Sequence, residues 1–247
     1  KSYVAGSKGL SFHVLIYSLE DNQLLTMIEA NRLGQLRTGA ASGVATKYLC
    51  SKDSIDIGVY GSGFQAETQI EAISRVKNIK SCVVYSRSSV KREKFCEKMT
   101  EKLGFSIEPT DDPKECAIDK EVIVTVTTSS DPVLMGDWIS LGTHINAAGS
   151  NQALKKEIDL NVIKKSDLIV VDDLNQAKTE CGDLIQAGEN FDWNNVILLE
   201  DIVSGKRKKT NSTISLFESQ GVALEDIAIG FRLFQKANKE NVGTELN

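Results

Sequence analysis

The chain has 247 residues, 41% of them hydrophobic and 26% charged, with a formal net charge of −5. This composition is typical of a folded protein of one or two domains, and the negative charge argues against a nucleic-acid-binding protein. No apolar run approaches the ~18 residues that a membrane span needs, and no signal peptide is visible. We therefore expect neither a nucleic-acid nor a membrane partner.

The first fifty residues predict an antiparallel hairpin followed by a helix rich in small side chains. Strand-like runs at 12–18 and 24–28 flank a turn signal. The segment 37–49, RTGAASGVATKYL, predicts a tightly packed helix with Thr38 as its candidate N-cap, so that Arg37 lies at the helix start. Because the chain opens on Lys1 rather than on methionine, we expect a further N-terminal part to precede it.

Beyond residue 54, predicted strands and helices alternate. The predicted strands are 55–60, 81–85, 121–127, 143–148, 167–172 and 212–217. The predicted helices are 64–76, 89–102, 155–164, 173–187 and 222–237, and the end, 242–247, could return as an edge strand. Nearly continuous apolar strands that alternate with helices indicate an α/β fold with a parallel sheet covered on both faces.

The segment after the first of these strands predicts a dinucleotide site. Gly61 permits a sharp turn, Gly63 lets the backbone approach a pyrophosphate, and the small Ala66 lets the helix pack near the strand. The helix start adds free N–H groups and a positive dipole end. The predicted cofactor contacts here are Gly61, Ser62, Gly63, Phe64, Gln65 and Ala66. The alternative is an ordinary turn that uses glycine for geometry alone.

The end of the second strand indicates which dinucleotide binds. An NAD site usually has an acid there for the ribose 2′-OH, but this chain has Ser86-Arg87-Ser88. A guanidinium flanked by hydroxyls suits a 2′-phosphate, so we expect NADP(H) to be preferred and NAD(H) to be possible. Alternatively, Arg87 stacks on the adenine or points into solvent.

Cysteine and histidine usage predicts no disulfide framework and no metal site. The five cysteines are odd in number and lack CxxC spacing, which is typical of free thiols in a reducing cytoplasm. The two histidines, His13 and His144, have no cluster of acids or further histidines nearby in the sequence.

Several segments together resemble the ornithine cyclodeaminase/mu-crystallin family. They are RTGAASGVATKYL (37–49), GSGFQAETQIEA (61–72), THINAAGS (143–150), VVDDLNQA (170–177) and STISLFESQGVALEDIA (212–228). The resemblance implies a homodimer with a Rossmann-type, doubly wound NAD(P)-binding domain, here 49–237. It also implies a second α+β domain, 1–48 with 238–247, for dimerisation and substrate binding.

The resemblance also implies roles for three catalytic candidates. Arg37 would hold the carboxylate of an amino or imino acid, a role that a planar guanidinium at a helix start suits, although it could instead pair with a surface acid. Lys1 would face the substrate and act on its carboxylate or its amine or imine proton, unless it is a solvated terminus. Asn151 stands where cyclodeaminases and archaeal alanine dehydrogenases carry an aspartate proposed as general base. An amide cannot take a proton, so the departure favours imine reduction over deamination.

The remaining cofactor contacts are assigned by position in the chain. Further contacts are Thr125, Val126 and Thr127, then Asn146 and Ala147 with His144 beside the nicotinamide ribose, and finally Ser219, Gln220 and Gly221. The predicted function is an NAD(P)H-dependent oxidoreductase acting on an imino acid, a cyclic ketimine or an amino acid. Two alternatives remain open: an ornithine cyclodeaminase with catalytic NAD, and a non-enzymatic NADPH-dependent binder of small molecules.

Overall fold

The computed structural model describes residues 2–6, 9–189, 191–207 and 213–245. It divides into two compact units, Thr38–Gln220 and Lys1–Arg37 with Gly221–Asn247. The division between Arg37 and Thr38 falls inside helix α1 (Asn31–Leu49), upstream of the domain boundary expected at 48/49. The division between Gln220 and Gly221 lies upstream of the boundary expected at 237/238. The assignment of a separate function to each domain stays a prediction.

The larger unit is built on one eight-stranded sheet in which every pairing is parallel. Its strands are β4 (Ser54–Tyr60), β5 (Asn78–Tyr85), β6 (Ile107–Thr110), β7 (Val122–Thr125), β8 (His144–Ala147), β9 (Leu168–Val171), β10 (Val196–Leu198) and β11 (Ser215–Glu218). The order is β10-β9-β11-β8-β7-β4-β5-β6. Strand order reverses between β4 and β7, which makes a doubly wound sheet with its switch point there. The predicted α/β fold class is confirmed.

Two predicted helices of this unit are shorter than expected. The helices are α2 (Phe64–Ser74), α3 (Ser89–Leu103), α4 (Leu160–Lys165), α5 (Leu174–Glu180), α6 (Gly182–Ile185) and α7 (Leu199–Val203). The helix predicted at 155–164 is wrong over its first half, because the backbone there bonds to other loops, as in Lys156 N–H to Ser129 O. The helix predicted at 173–187 breaks at Cys181, whose backbone is extended.

The smaller unit is an antiparallel sheet with helix α8 and the first part of α1. Its elements are β1 (Ser2–Gly6), β2 (Gly9–Tyr17), β3 (Leu24–Glu29) and α8 (Ala223–Glu240), with β2 at the centre of the sheet. Helix α8 packs on β2: a Cβ added at Gly230 would lie 3.0 Å from Ile16 Cδ1. The predicted hairpin is confirmed, but the described residues 242–245 form no strand.

The core of the larger unit is apolar and includes the thiols. Strand side chains such as Ile57, Val59 and Ile145 are fully buried. All five cysteines are buried and free of disulfides. Among the described residues, no helix is long and apolar enough to span a membrane.

Candidate active site

The glycine turn lies at the carboxyl end of β4, next to the switch point. Gly61 has a φ of +116°, and a Cβ added there would lie 2.5 Å from the carbonyl oxygen of Val126, so only glycine fits. Gly63 is the N-cap of α2 and makes no side-chain cap, while a Cβ added to it would meet no atom within 4 Å. Ala66 is fully buried, whereas Phe64 is exposed and Gln65 is half-buried. The turn thus leaves the start of α2 open.

A pair of serine hydroxyls connects this turn to the loop after β5. Ser62 Oγ and Ser86 Oγ are 2.8 Å apart. Ser88 caps α3 by accepting from the Lys91 N–H. Arg87 is exposed and forms no hydrogen bond or ion pair with the described residues.

Sequence reasoning missed the arginine that holds this second loop. Arg92 is buried in α3, donates from Nη1 to the Ser86 carbonyl at 2.6 Å, and pairs with Asp111 through Nη2. An arginine in a charged helix is usually solvent-exposed, and no local pattern distinguishes this one. Its fixed guanidinium supports the loop that presents Arg87.

The loops after β7 and β8 lie side by side at the same edge of the sheet. Thr125 and Ala147 end these strands, and the Ala148 N–H donates to the Thr125 carbonyl at 2.8 Å. The Asn146 amide donates to Thr46 Oγ1 at 2.9 Å, so this side chain is used inside the unit. Asn151 is exposed on the loop after β8.

The position predicted for His144 beside the nicotinamide ribose is wrong. His144 is the first residue of β8, and the amino ends of parallel strands lie opposite the edge formed by the loops that follow them. Its buried ring lies between Ser215 Oγ at 2.9 Å and Asn146 Oδ1 at 3.2 Å. The histidine therefore holds the Asn146 side chain from the amino-terminal end of β8.

Three buried carboxyls, Glu157, Asp183 and Glu218, lie behind these loops, and sequence reasoning missed all three. Glu157 accepts from the N–H groups of Thr127 and Gly149, and so connects the loop after β7 with the loop after β8. Among the described residues, no group of His, Cys, Asp or Glu is arranged to hold a metal ion. Through these hydrogen bonds the acids organise the loops around them.

The pKa values of the same three acids are all raised above their ordinary values. Burial raises the pKa of Glu157 to about 7 and raises the pKa of Asp183. Burial, followed by the neighbouring charge of Asp183, raises the pKa of Glu218 well above its ordinary value. Ser150 Oγ donates to Glu218 Oε2 at 3.4 Å, and Ser150 directly precedes Asn151 in the chain. A buried carboxyl with a raised pKa thus supports the loop that carries Asn151.

The loop after β11 contains a buried amide without a partner. Ser219 Oγ donates to Asp172 at 3.1 Å, whereas neither side-chain atom of buried Gln220 has a hydrogen-bond partner in the part of the chain that the structure describes. Unpaired buried polar groups are costly, and a bound ligand is one way in which they are satisfied. Gln220 is therefore a candidate ligand contact.

Arg37 lies in the smaller unit, and its expected place at a helix start is wrong. Helix α1 begins at Asn31, so the N–H groups near Arg37 are bonded within the helix and cannot bind a carboxylate. Its guanidinium instead contacts two acids at the start of α8, Glu225 and Asp226. Gly221, with a φ of +76°, borders it closely: a Cβ there would lie 1.5 Å from Arg37 Nη1. Lys1 lies outside the described residues.

Comparison with known proteins identifies the family. The sequence model of the ornithine cyclodeaminase/mu-crystallin family matches residues 6–241 of this chain. The chain belongs to this family. The expected resemblance is therefore confirmed across nearly the whole chain.

Relatives within the family have named activities. Alanine dehydrogenase of Archaeoglobus fulgidus is 34% identical over 247 residues, covering 94% of this chain and 72% of the relative. The structure of Thermococcus litoralis Δ1-pyrroline-2-carboxylate reductase, in complex with NADH and L-proline, matches with a TM-score of 0.92 and 35% identity, covering 96% of this chain and 75% of that one. An archaeal alanine dehydrogenase dimer with bound NAD matches with a TM-score of 0.91 and 32% identity, covering 97% and 75%. These names describe oxidoreductases of amino and imino acids.

Proposed function

We propose that this chain is an NAD(P)H-dependent oxidoreductase that reduces an imino acid, either a cyclic ketimine or the imine formed from a keto acid and ammonia. The observation that carries the proposal is the similarity to a reductase whose structure holds NADH and L-proline. That similarity covers 96% of this chain.

The residues at the switch point fit a dinucleotide. The start of α2 has no side-chain cap, and the space beside Gly63 is open, as a pyrophosphate on a helix N-terminus requires. Gln220 offers a buried amide with no partner among the described residues. The cofactor contacts in this proposal are the residues predicted from the sequence between Gly61 and Gly221, without His144.

The loop after β5 favours the phosphorylated cofactor. No carboxylate directly follows β5 in the chain to repel a 2′-phosphate, and the exposed Arg87 forms no ion pair with the described residues that a phosphate would have to displace. The serines on either side add hydroxyl donors. We therefore propose NADP(H) as the preferred cofactor, with NAD(H) as the weaker one.

The chain's own groups would bind the substrate and manage its proton. Arg37 would hold the carboxylate, and Lys1 or water would protonate the imine nitrogen. A reduced nicotinamide cofactor would supply the hydride for the imine carbon. Asn151 cannot accept a proton, so removal of a proton from an amine lacks a base at this position. Reduction is therefore the favoured direction.

The test uses the purified protein with NADPH or NADH. Consumption of reduced cofactor with pyrroline-2-carboxylate, piperideine-2-carboxylate or pyruvate plus ammonia supports the proposal, and no consumption with any of them contradicts it. Ornithine without added reductant serves as a further arm, because its conversion to proline would instead establish a cyclodeaminase.

Two variants sharpen the test. Arg87→Asp should move the ratio of NADPH to NADH efficiency by about tenfold or more towards NADH, because a carboxylate repels the 2′-phosphate. Arg232→Asp, an exposed arginine on α8, is the matched control and should leave the ratio unchanged. Asn151→Asp should raise amine oxidation relative to imine reduction; an unchanged ratio would show that this position is not the base site.

We also propose that the protein is a homodimer in a reducing cytoplasm. The dimeric state of the similar alanine dehydrogenase and the five free, buried thiols support this proposal. Light scattering on the purified protein measures the mass directly.

A further inference from the structure

A carboxylate stands beside the loop that would bind the 2′-phosphate, although not in the place where NAD sites carry one. Strand β6 pairs with β5, and its last residue, Thr110, is paired with Tyr85, the last residue of β5. The next residues, Asp111 and Ser86, therefore begin two neighbouring loops at the carboxyl edge of the sheet. The Asp111 side chain is 91% exposed, so its charge is available to repel an anion bound at this edge.

The Arg92 guanidinium joins the two loops. Nη1 donates to the Ser86 carbonyl at 2.6 Å, and Nη2 donates to Asp111 Oδ1. Because the nitrogens of a guanidinium are held in a rigid fork, the Asp111 carboxylate lies within roughly 7 Å of the Ser86 carbonyl, which is inside the screening length of physiological salt. The charge of Asp111 therefore acts on an anion that binds at the Ser86 loop.

Arg92 also balances the charge at this edge. Its side chain is 5% exposed, and its Nε has no hydrogen-bond partner in the part of the chain that the structure describes, where its other side-chain nitrogens bond to these two loops. The Arg92–Asp111 pair has no net charge. Loss of the arginine would leave a negative charge beside the loop, whereas loss of the acid would leave a positive one.

We propose that the Arg92–Asp111 pair determines how well a 2′-phosphate is accepted. Arg92 is a positioning residue, because it fixes the Ser86 carbonyl, and with it the loop that carries Arg87, and it balances the charge of Asp111. Arg87 then meets the phosphate beside a pair without net charge rather than beside a free carboxylate. This inference rests on the proposed preference for NADP(H), to which it adds one residue of α3 and one of the loop after β6.

The test compares the binding of NADPH and NADH by calorimetry at low ionic strength, where charges are least screened. The two cofactors differ only in the 2′-phosphate, and binding requires no turnover. Asp111→Asn keeps an oxygen that can accept from Arg92 but removes the charge, so it should lower the Kd of NADPH about two- to fivefold. Arg92→Met leaves the charge of Asp111 unbalanced and releases Ser86, so it should raise the Kd of NADPH about tenfold. The Kd of NADH should change by less than about twofold in both variants, because its pyrophosphate binds at the glycine turn.

The double variant Arg92→Met/Asp111→Asn separates charge from position. It has the same net charge beside the loop as the wild type but no hydrogen bond to Ser86, so its Kd for NADPH should lie between those of the wild type and Arg92→Met. Asp119→Asn is the matched control. It removes one charge from an exposed acid that precedes β7, at the opposite edge of the sheet, and should change neither Kd.

An Arg92→Met variant that weakens NADPH and NADH equally overturns the inference, because a purely structural arginine would act on both cofactors. An unchanged ratio of the two Kd values in Asp111→Asn also overturns it, and this variant decides alone if the melting temperature shows that Arg92→Met fails to fold. Equal Kd values of NADPH and NADH in the wild type contradict the proposed cofactor preference and the inference together. A wild type that prefers NADPH but reduces no imine contradicts only the proposed reaction.

Discussion

The carboxyl edge of the large sheet has two halves that are built differently. In the glycine half, residues 61–66 and 86–88, the backbone is held by glycine conformation and a serine pair, and the start of α2 is left open. In the acid half, residues 125–127, 146–151 and 218–220, buried carboxyls hold the loops from behind. The first half owes its shape to neighbouring residues, whereas the second depends on acids that come from distant parts of the chain.

The largest loss of stability in either half is expected from a substitution at Gly61. Gly61→Ala should lower the free energy of unfolding by on the order of 4 kcal/mol, because it combines a strained positive φ with a Cβ against the Val126 carbonyl. Denaturant titration measures the loss. Gly188→Ala is the control: its φ is +92°, but no atom lies within 4 Å of the added Cβ, so only the strain of about 1–2 kcal/mol applies. Equal losses in the two variants would contradict the close approach to Val126.

The raised pKa values in the acid half predict that the free energy of unfolding depends on pH. The folded-state pKa of Glu157 is raised from an ordinary 4.5 to about 7, so the folded protein binds more protons than the unfolded chain between those values. The contribution of Glu157 is therefore most favourable below pH 4.5 and is lost as pH rises through 7, by on the order of 3 kcal/mol. Burial of Asp183 and Glu218 acts in the same direction.

Glu157→Gln tests this directly. The amide cannot titrate, so its own contribution does not change with pH. The unfolding free energy of the wild type, measured relative to that of Glu157→Gln, should therefore fall by on the order of 3 kcal/mol as pH rises from 4.5 to 7. At neutral pH the variant still loses an acceptor, because a glutamine oxygen cannot serve both the Thr127 and Gly149 N–H groups. Glu108→Gln, an exposed acid on β6, is the control. Parallel pH curves for wild type and Glu157→Gln would contradict the raised pKa.

The two halves also differ in how far sequence could predict them. The glycine turn and the alternation of strands and helices are local patterns, so the fold class, the turn at Gly61 and the family could all be predicted. Glu157, Asp183 and Glu218 are far apart in the chain, and nothing beside each of them marks it as buried. Glu157 even lay in a predicted helix, because its role in connecting two loops is invisible to helical periodicity.

Arg37 shows a different limit, because its position within its helix was predicted wrongly. The small residues after it resemble a helix start, yet α1 begins at Asn31, so the N–H groups near Arg37 are bonded within the helix. Its acidic neighbours come from the opposite end of the chain. Their contact depends on how α8 packs against the hairpin, which no local pattern reports.

A smaller loss of stability is expected from removing the pair of serine hydroxyls that connects the two loops of the glycine half. Ser62→Ala removes the 2.8 Å contact between Ser62 and Ser86 and should lower the unfolding free energy by about 1 kcal/mol, the usual net value of one hydrogen bond. Thermal unfolding measures it. Ser106→Ala, whose exposed hydroxyl bonds weakly to Glu108 at 3.3 Å, is the control and should change little. A loss of several kcal/mol would mean that the serine pair, rather than glycine geometry, holds this half together.

The smallest effect on stability is expected at Gly63, where the contrast with Gly61 is sharpest. Its backbone is extended at φ −92°, and its added Cβ meets no protein atom, so Gly63→Ala should change the unfolding free energy by no more than about 0.5 kcal/mol. The same methyl group would stand in the open space before the start of α2, so NADPH binding should weaken by about tenfold or more if a pyrophosphate lies there. Calorimetry with NADPH, read beside the melting temperature, separates the two effects. Unchanged affinity would mean that the open helix start is not where the dinucleotide binds, whereas a lowered melting temperature would show that the space beside Gly63 is filled by the protein itself.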